Sequence, residues 1–185
     1  MKKKKLTNLT PLSSLAISSG INTWEDLIEY VKNLPYARNS KRDDFSLVLT
    51  EKKGSCSSKH ALLKIIADEN EIQDVKLILA IYKMNSQNTP GIGMVLIEQG
   101  LDYVPEAHCL LKINGEYFDY TSSQSAFKQI EGDILSLKKI QPNFVICEKI
   151  NFHQDFIKEW LKQANLNLDF KKIWLIRENC INNLA

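Results

Sequence analysis

Apolar positions recur along this chain in distinct rhythms. Trp24, Leu27, Ile28, Val31 and Leu34 return every three or four residues, the period of a helix that buries one face. Asn22 or Thr23 can cap that helix, Glu25 and Asp26 suit its first turn, and Pro35 stops it. A weaker pattern over 11–19, broken at Gly20, predicts a shorter helix ahead of it. From about Ser55 to Asn70, steps of 100° gather Cys56, Leu62, Leu63, Ile65, Ile66 and Ala67 on one broad arc, with Lys64 and Asp68 opposite. So wide an arc predicts a helix buried against several neighbours. Val75 to Tyr82 is apolar and branched with little alternation, which predicts a strand covered on both faces.

Between these stretches, Pro35 to Asp44 is polar and long for a plain connection, and Phe45 to Leu49 is a short apolar piece, one helical turn or a short strand. Asn85 to Gly93 reads as a loop and 92–99 as a short helix ending at Gly100. Two strands follow, about Ala107 to Ile113 and Glu116 to Tyr120. The Asn114-Gly115 pair between them is a strong hairpin signal, because a type I′ turn needs positive φ at both central positions. Phe144 to Ile150 is expected as a further strand, His153 to Ala164 as an amphipathic helix and Phe170 to Asn182 as a closing helix. Helices, one buried helix, strands packed on it and C-terminal helices make an α+β domain.

Composition changes this picture little. A chain of 185 residues, 44% hydrophobic and 25% charged, suits a single domain with a substantial core. The net charge of +2, with no basic stripe interleaved with aromatics, argues against a nucleic-acid partner. Lys2 to Lys5 are followed by Thr7, Asn8, Thr10, Pro11 and four serines before Gly20, which is no apolar core for a secretion signal. Residues 1–10 are therefore expected as a flexible tail and the protein as cytoplasmic. No apolar run approaches a membrane span. Cysteines at 56, 109, 147 and 180 form no CxxC pair and are expected as reduced thiols.

The candidate chemistry gathers on Cys56. At a helix start, backbone N–H groups and the positive end of the helix dipole favour thiolate over thiol. A cysteine nucleophile needs an imidazole and a group to orient it. His60 sits one turn along the same helix without an evident acid, and is expected as a hydrogen-bonded flank residue; His153 opens the late helix. His108 is better placed. With Asn114 and Gly115 as the turn, Ile113 pairs with Glu116 and Leu110 with Asp119, so Asp119 is the diagonal same-face neighbour of His108. Alternation sends Cys109, Phe118 and Tyr120 to the other face. Cys109, Cys147 and Cys180 are expected as core, and so are Trp24, Trp160 and Trp174. A zinc site from Cys56, His60, His108 and Cys109 would need adjacent strand residues to face one way, so no metal or other cofactor is expected.

Gly54-Ser55-Cys56 entering an apolar helix, then Glu106-Ala107-His108-Cys109-Leu110-Leu111, then Tyr117-Phe118-Asp119-Tyr120-Thr121, resembles the transglutaminase-like superfamily over about residues 54–121. The resemblance implies a papain-like core at about 45–150 of one domain spanning 1–185, C-terminal helices at about 153–183, and a Cys56–His108–Asp119 triad. It implies acyl chemistry on a peptide or other amide; no membrane partner is expected, for want of an apolar span. Leu110 stands where the family often has an aromatic, and no glutamine precedes Gln73 to serve as oxyanion donor. Asn39 and Tyr36 are the candidates for that role, beside the Cys56 N–H. Hydrolysis through an acyl-enzyme is the leading expectation. The alternatives are an amine-accepting acyltransferase and an inactive peptide-binding module of the same fold.

Overall fold

The computed structural model describes residues 3–164 and 166–184. In chain order the helices and strands are α1 (Pro11–Ser18), α2 (Trp24–Asn33), α3 (Leu47–Thr50), α4 (Cys56–Glu69), β1 (Val75–Met84), α5 (Gly93–Ile97), β2 (Val104–Ile113), β3 (Glu116–Phe118), β4 (Ile134–Ile140), α6 (Phe144–Cys147), α7 (Lys149–Ala164) and α8 (Phe170–Asn182). The four strands form one antiparallel sheet in the order β3-β2-β1-β4. This is an α+β fold.

Both faces of the sheet are covered. Leu77, Leu79, Ile81, Ala107, Cys109 and Leu111 pack against apolar residues of α1, α2, α4 and α6, including Leu27, Val31, Leu62 and Ile66. The alternate positions Ile78, Ala80, Tyr82, Val104 and Leu110 pack against Leu96 of α5, Ile157 of α7 and Ile173, Ile176 and Cys180 of α8. Two-sided burial explains why β1 carries an apolar run rather than an alternating one. The sheet thus has a helical layer on each side, where the pattern alone suggested one buried helix.

The hairpin has the expected register, with Ile113 opposite Glu116, Lys112 opposite Tyr117 and Leu111 opposite Phe118. Asn114 and Gly115 carry φ of 51° and 92°, as a type I′ turn requires. The third strand stops at Phe118, so the outer edge of β2 from Leu110 back toward Val104 has no strand partner among the described residues.

Two expectations are corrected. Phe144 to Ile150 is not a strand: Phe144–Cys147 forms α6 and Lys149 opens α7. Phe144 and Val145 are buried while Glu148 and Ile150 are exposed, a one-sided burial that a short amphipathic helix satisfies. The strand that completes the sheet is Ile134–Ile140, whose mixed exposure marks an edge. Residues 4–6, expected within a flexible tail, are tied to α2: Leu6 N donates to Asn22 O at 2.9 Å and Trp24 N to Lys4 O at 2.9 Å, with Leu6 buried. Among the described residues no helix is long and apolar enough to cross a membrane.

Candidate active site

The turn into α4 is built before the helix begins. Gly54 N donates to Pro35 O at 3.1 Å, and Ala37 N donates to Gly54 O at 3.2 Å, which lays the Pro35 to Asn39 segment alongside the turn. Ser55 is the N-cap: Ser58 N donates to its Oγ at 3.4 Å, and Ser55 N donates to Ser58 Oγ at 3.0 Å. With that reciprocal box closed, Cys56 is the first helical residue. Its backbone N–H and that of Ser57 have no intrahelical acceptor, as in any first turn.

Asp119 lies just beyond β3 and is held from several directions. Its Oδ1 accepts from Thr121 N at 2.9 Å, and its Oδ2 faces His108 Nε2 at 2.8 Å. Lys59, fully buried on α4, donates from Nζ to Thr121 O at 2.6 Å and to Leu34 O at 2.5 Å. The same-face placement of His108 and Asp119 is thus realised as a direct contact. Because Nε2 is taken by the carboxylate, Nδ1 is the His108 nitrogen left for proton exchange.

Charge at the site is polarised. The Cys56 thiol is held well below its ordinary pKa, first by the neighbouring Cys109 thiol and then by the cations of Lys149 and His108, against the upward push of burial. Burial pulls His108 down, but the charges of Asp119 and Cys56 outweigh it and hold the imidazole well above its usual value. Asp119 is lowered to about 2, His108 overcoming the opposing effect of burial. The favoured state is a thiolate beside an imidazolium. Yet the polar atoms at hydrogen-bonding distance from the sulfur are Lys149 Nζ at 3.8 Å and Ser57 Oγ at 3.9 Å, and no hydrogen bond links the sulfur to His108 in this structure.

Two of these neighbours were invisible in the sequence pattern. Lys149 donates to Ser57 Oγ at 2.7 Å as well as approaching the thiol. Its role was hidden by the expectation of a strand over 144–150. Cys109 does face away from His108, as alternation requires, but that face is the one α4 packs on, and its thiol lies 3.6 Å from Ser57 Oγ. Its own pKa is raised well above the ordinary by the neighbouring Cys56 sulfur and by burial, so it stays a protonated thiol. At a strand edge without a partner, side chains from both faces of β2 can reach one sulfur. The available signal was a second cysteine directly after the histidine.

A cavity of about 380 Å³ opens onto Cys56, Ser57 and Lys149, with Tyr36, Phe45 and Trp174 among its walls. Neither His108 nor Asp119 lines it. Tyr36 lines it too, its hydroxyl making no hydrogen bond to a described residue and held protonated by burial and by the charge of Cys56. Asn39 also lines it, but its amide donates to Leu47 O, Glu51 Oε2 and Lys53 O, while its Oδ1 is buried without a partner. Its N–H groups are spent, so what Asn39 offers is an unpaired acceptor. His153 is buried on α7, its Nε2 against Pro105 O at 2.8 Å. All four cysteines are free; Cys147, expected in the core, is instead exposed, because α6 buries only its Phe144 and Val145. Among the described residues no group of three His, Cys, Asp or Glu side chains is placed to hold a metal. No protein-family model, curated protein or solved structure matches the chain.

Proposed function

We propose that this is a cysteine-dependent acyl-transfer enzyme with a papain-like, transglutaminase-like core, hydrolysing an amide or peptide-type bond. The observation that carries the reading is the His108 Nε2 to Asp119 Oδ2 contact of 2.8 Å, set beside a cysteine biased toward thiolate at the start of a capped helix. The Cys56 thiolate attacks the carbonyl carbon, and the developing oxyanion is met by the Cys56 N–H and the Tyr36 hydroxyl. His108 gives its proton to the leaving amine as the C–N bond breaks, which leaves a thioester. It then takes a proton from water, the hydroxide attacks the thioester, and the acid departs as the thiolate is restored. Asp119 holds the imidazole by Nε2 throughout. An amine in place of water would give transfer by the same steps.

One observation favours a second reading, a peptide-binding module of the same fold without turnover: of the three triad residues, Cys56 alone lines the cavity. Alkylation of Cys56 by iodoacetamide across pH, in the wild type and in His108→Ala, tests the enzyme reading. A catalytic cysteine reacts well below pH 8, and the profile moves toward higher pH without the histidine, partially because Cys109 and Lys149 remain. Reaction only as an ordinary thiol of pKa ~8.5 abolishes the enzyme reading.

A further inference from the structure

The wall of the cavity in front of Cys56 is unevenly charged. Arg38, Lys41, Arg42, Lys149 and Arg177 line it against two carboxylates, Glu106 and Glu178. Those carboxylates are already engaged. Arg177 grips Glu106 through two N–H···O bonds of 2.6 Å each and also touches Glu178, and Arg38 donates to Glu178 at 2.8 Å. Lys41, Arg42 and Lys149 have no carboxylate within ion-pair distance among the described residues. The acids next in sequence do not line the cavity, and Asp44 is turned to Ser46, which donates to it.

A thiolate on Cys56 balances one of the three free cations, Lys149 at 3.8 Å. Two positive charges are then still unmatched at a recess partly walled by Tyr36, Phe45 and Trp174, and low-dielectric walls of that kind concentrate the field inside. We infer that the site selects amide substrates carrying a carboxylate close to the scissile carbonyl, such as an acidic peptide segment, with Lys41 and Arg42 receiving that carboxylate. This rests on the acyl-transfer reading of the same site and adds the charge class of its substrate.

Two small alkylating agents that differ in charge separate the two ideas. Rate constants for iodoacetate and iodoacetamide are measured at pH 7 and low ionic strength on the full chain. They are read at Cys56 by peptide mass, because Cys147 is exposed, and are set against N-acetylcysteine amide as the uncharged free thiol. The iodoacetate-to-iodoacetamide ratio at Cys56 is expected to exceed that of the free thiol by about tenfold or more, and to fall with added salt. Lys41→Ser with Arg42→Ser lowers the iodoacetate rate more than the iodoacetamide rate. A ratio no higher than the free thiol's, or one unmoved by the double substitution, overturns the anion preference and leaves the iodoacetamide pH profile free to support the acyl-transfer reading. An ordinary iodoacetamide profile with a raised ratio does the reverse. A Cys56 that reacts with neither reagent removes both.

Discussion

His60 Nε2 accepts a hydrogen bond from the Tyr120 backbone N–H at 2.8 Å, while the other ring nitrogen, Nδ1, donates to Cys56 O at 2.7 Å. One neutral imidazole therefore joins the first residue of α4 to the segment that carries Asp119. Burial holds its pKa below the ordinary value, in keeping with that single tautomer. His60→Phe keeps most of the volume and leaves the Tyr120 N–H without its partner, while Cys56 O keeps its bond from the helix backbone, at a cost of roughly 1–3 kcal/mol. Urea unfolding reads the loss, and the Tyr120 amide should exchange faster with solvent than in the wild type. An unchanged Tyr120 exchange rate would show that the brace is not what orders this segment.

Gly54 is required by space rather than by backbone angle. A Cβ there would lie 2.8 Å from Lys59 Cγ and 3.0 Å from Ser58 Oγ. Lys59 cannot swing aside, since its Nζ is anchored on Leu34 O and Thr121 O. Gly54→Ala should cost about 1–3 kcal/mol by overpacking. The same substitution in a Lys59→Ala background should cost markedly less, because the colliding methylene is gone. Equal costs in the two backgrounds would place the strain elsewhere.

The His108–Asp119 pair makes stability depend on pH with a definite sign. Asp119 is lowered to about 2 in the fold, from about 3.9 in an unfolded chain. A depressed carboxyl stabilises the fold above its unfolded pKa, and that contribution drains away as pH falls from about 4 through 2; it is worth about 2 kcal/mol at neutral pH. His108, held high, contributes in the opposite sense: its share is complete below the unfolded histidine value and is lost as pH rises through its folded one. Unfolding midpoints measured from pH 6 to pH 2 should fall more steeply for the wild type than for Asp119→Asn. Parallel curves would mean that the ion pair does not couple to folding.

Much of this arrangement is legible in the sequence because it depends on local geometry. The Asn114-Gly115 turn fixes the hairpin register, and from the register follows the shared face of His108 and Asp119. The cap at Ser55 and the apolar arc after it place Cys56 at a helix start. What resisted reading depends on how elements meet. The direction of Lys149 requires knowing that Phe144 to Ile150 is helical, and a short apolar run of that length does not distinguish helix from strand. Ile134–Ile140 is an edge strand with exposed Leu135, Leu137, Lys138 and Lys139, and so lacks a clean apolar alternation. The approach of Cys109 to Cys56 comes from packing α4 on β2, which no spacing within either element contains.

That approach gives the sharpest test of how Cys56 is tuned. If the Cys109 thiol acts as a hydrogen-bond donor to the thiolate, Cys109→Ser retains a donor and Cys109→Ala removes it, although both lose the sulfur's volume. Alkylation of Cys56 at pH 6 should then fall roughly 3- to 10-fold in the alanine variant and much less in the serine variant. Lys149→Met removes a cation 3.8 Å from the same sulfur and should lower the pH 6 rate by a similar factor, with the whole profile displaced to higher pH. Because both groups act on the charge of one sulfur, the two effects should not simply add when Cys109→Ala and Lys149→Met are combined. Equal losses in Cys109→Ser and Cys109→Ala would assign the effect to packing, and the thiolate would then rest on Lys149 and His108.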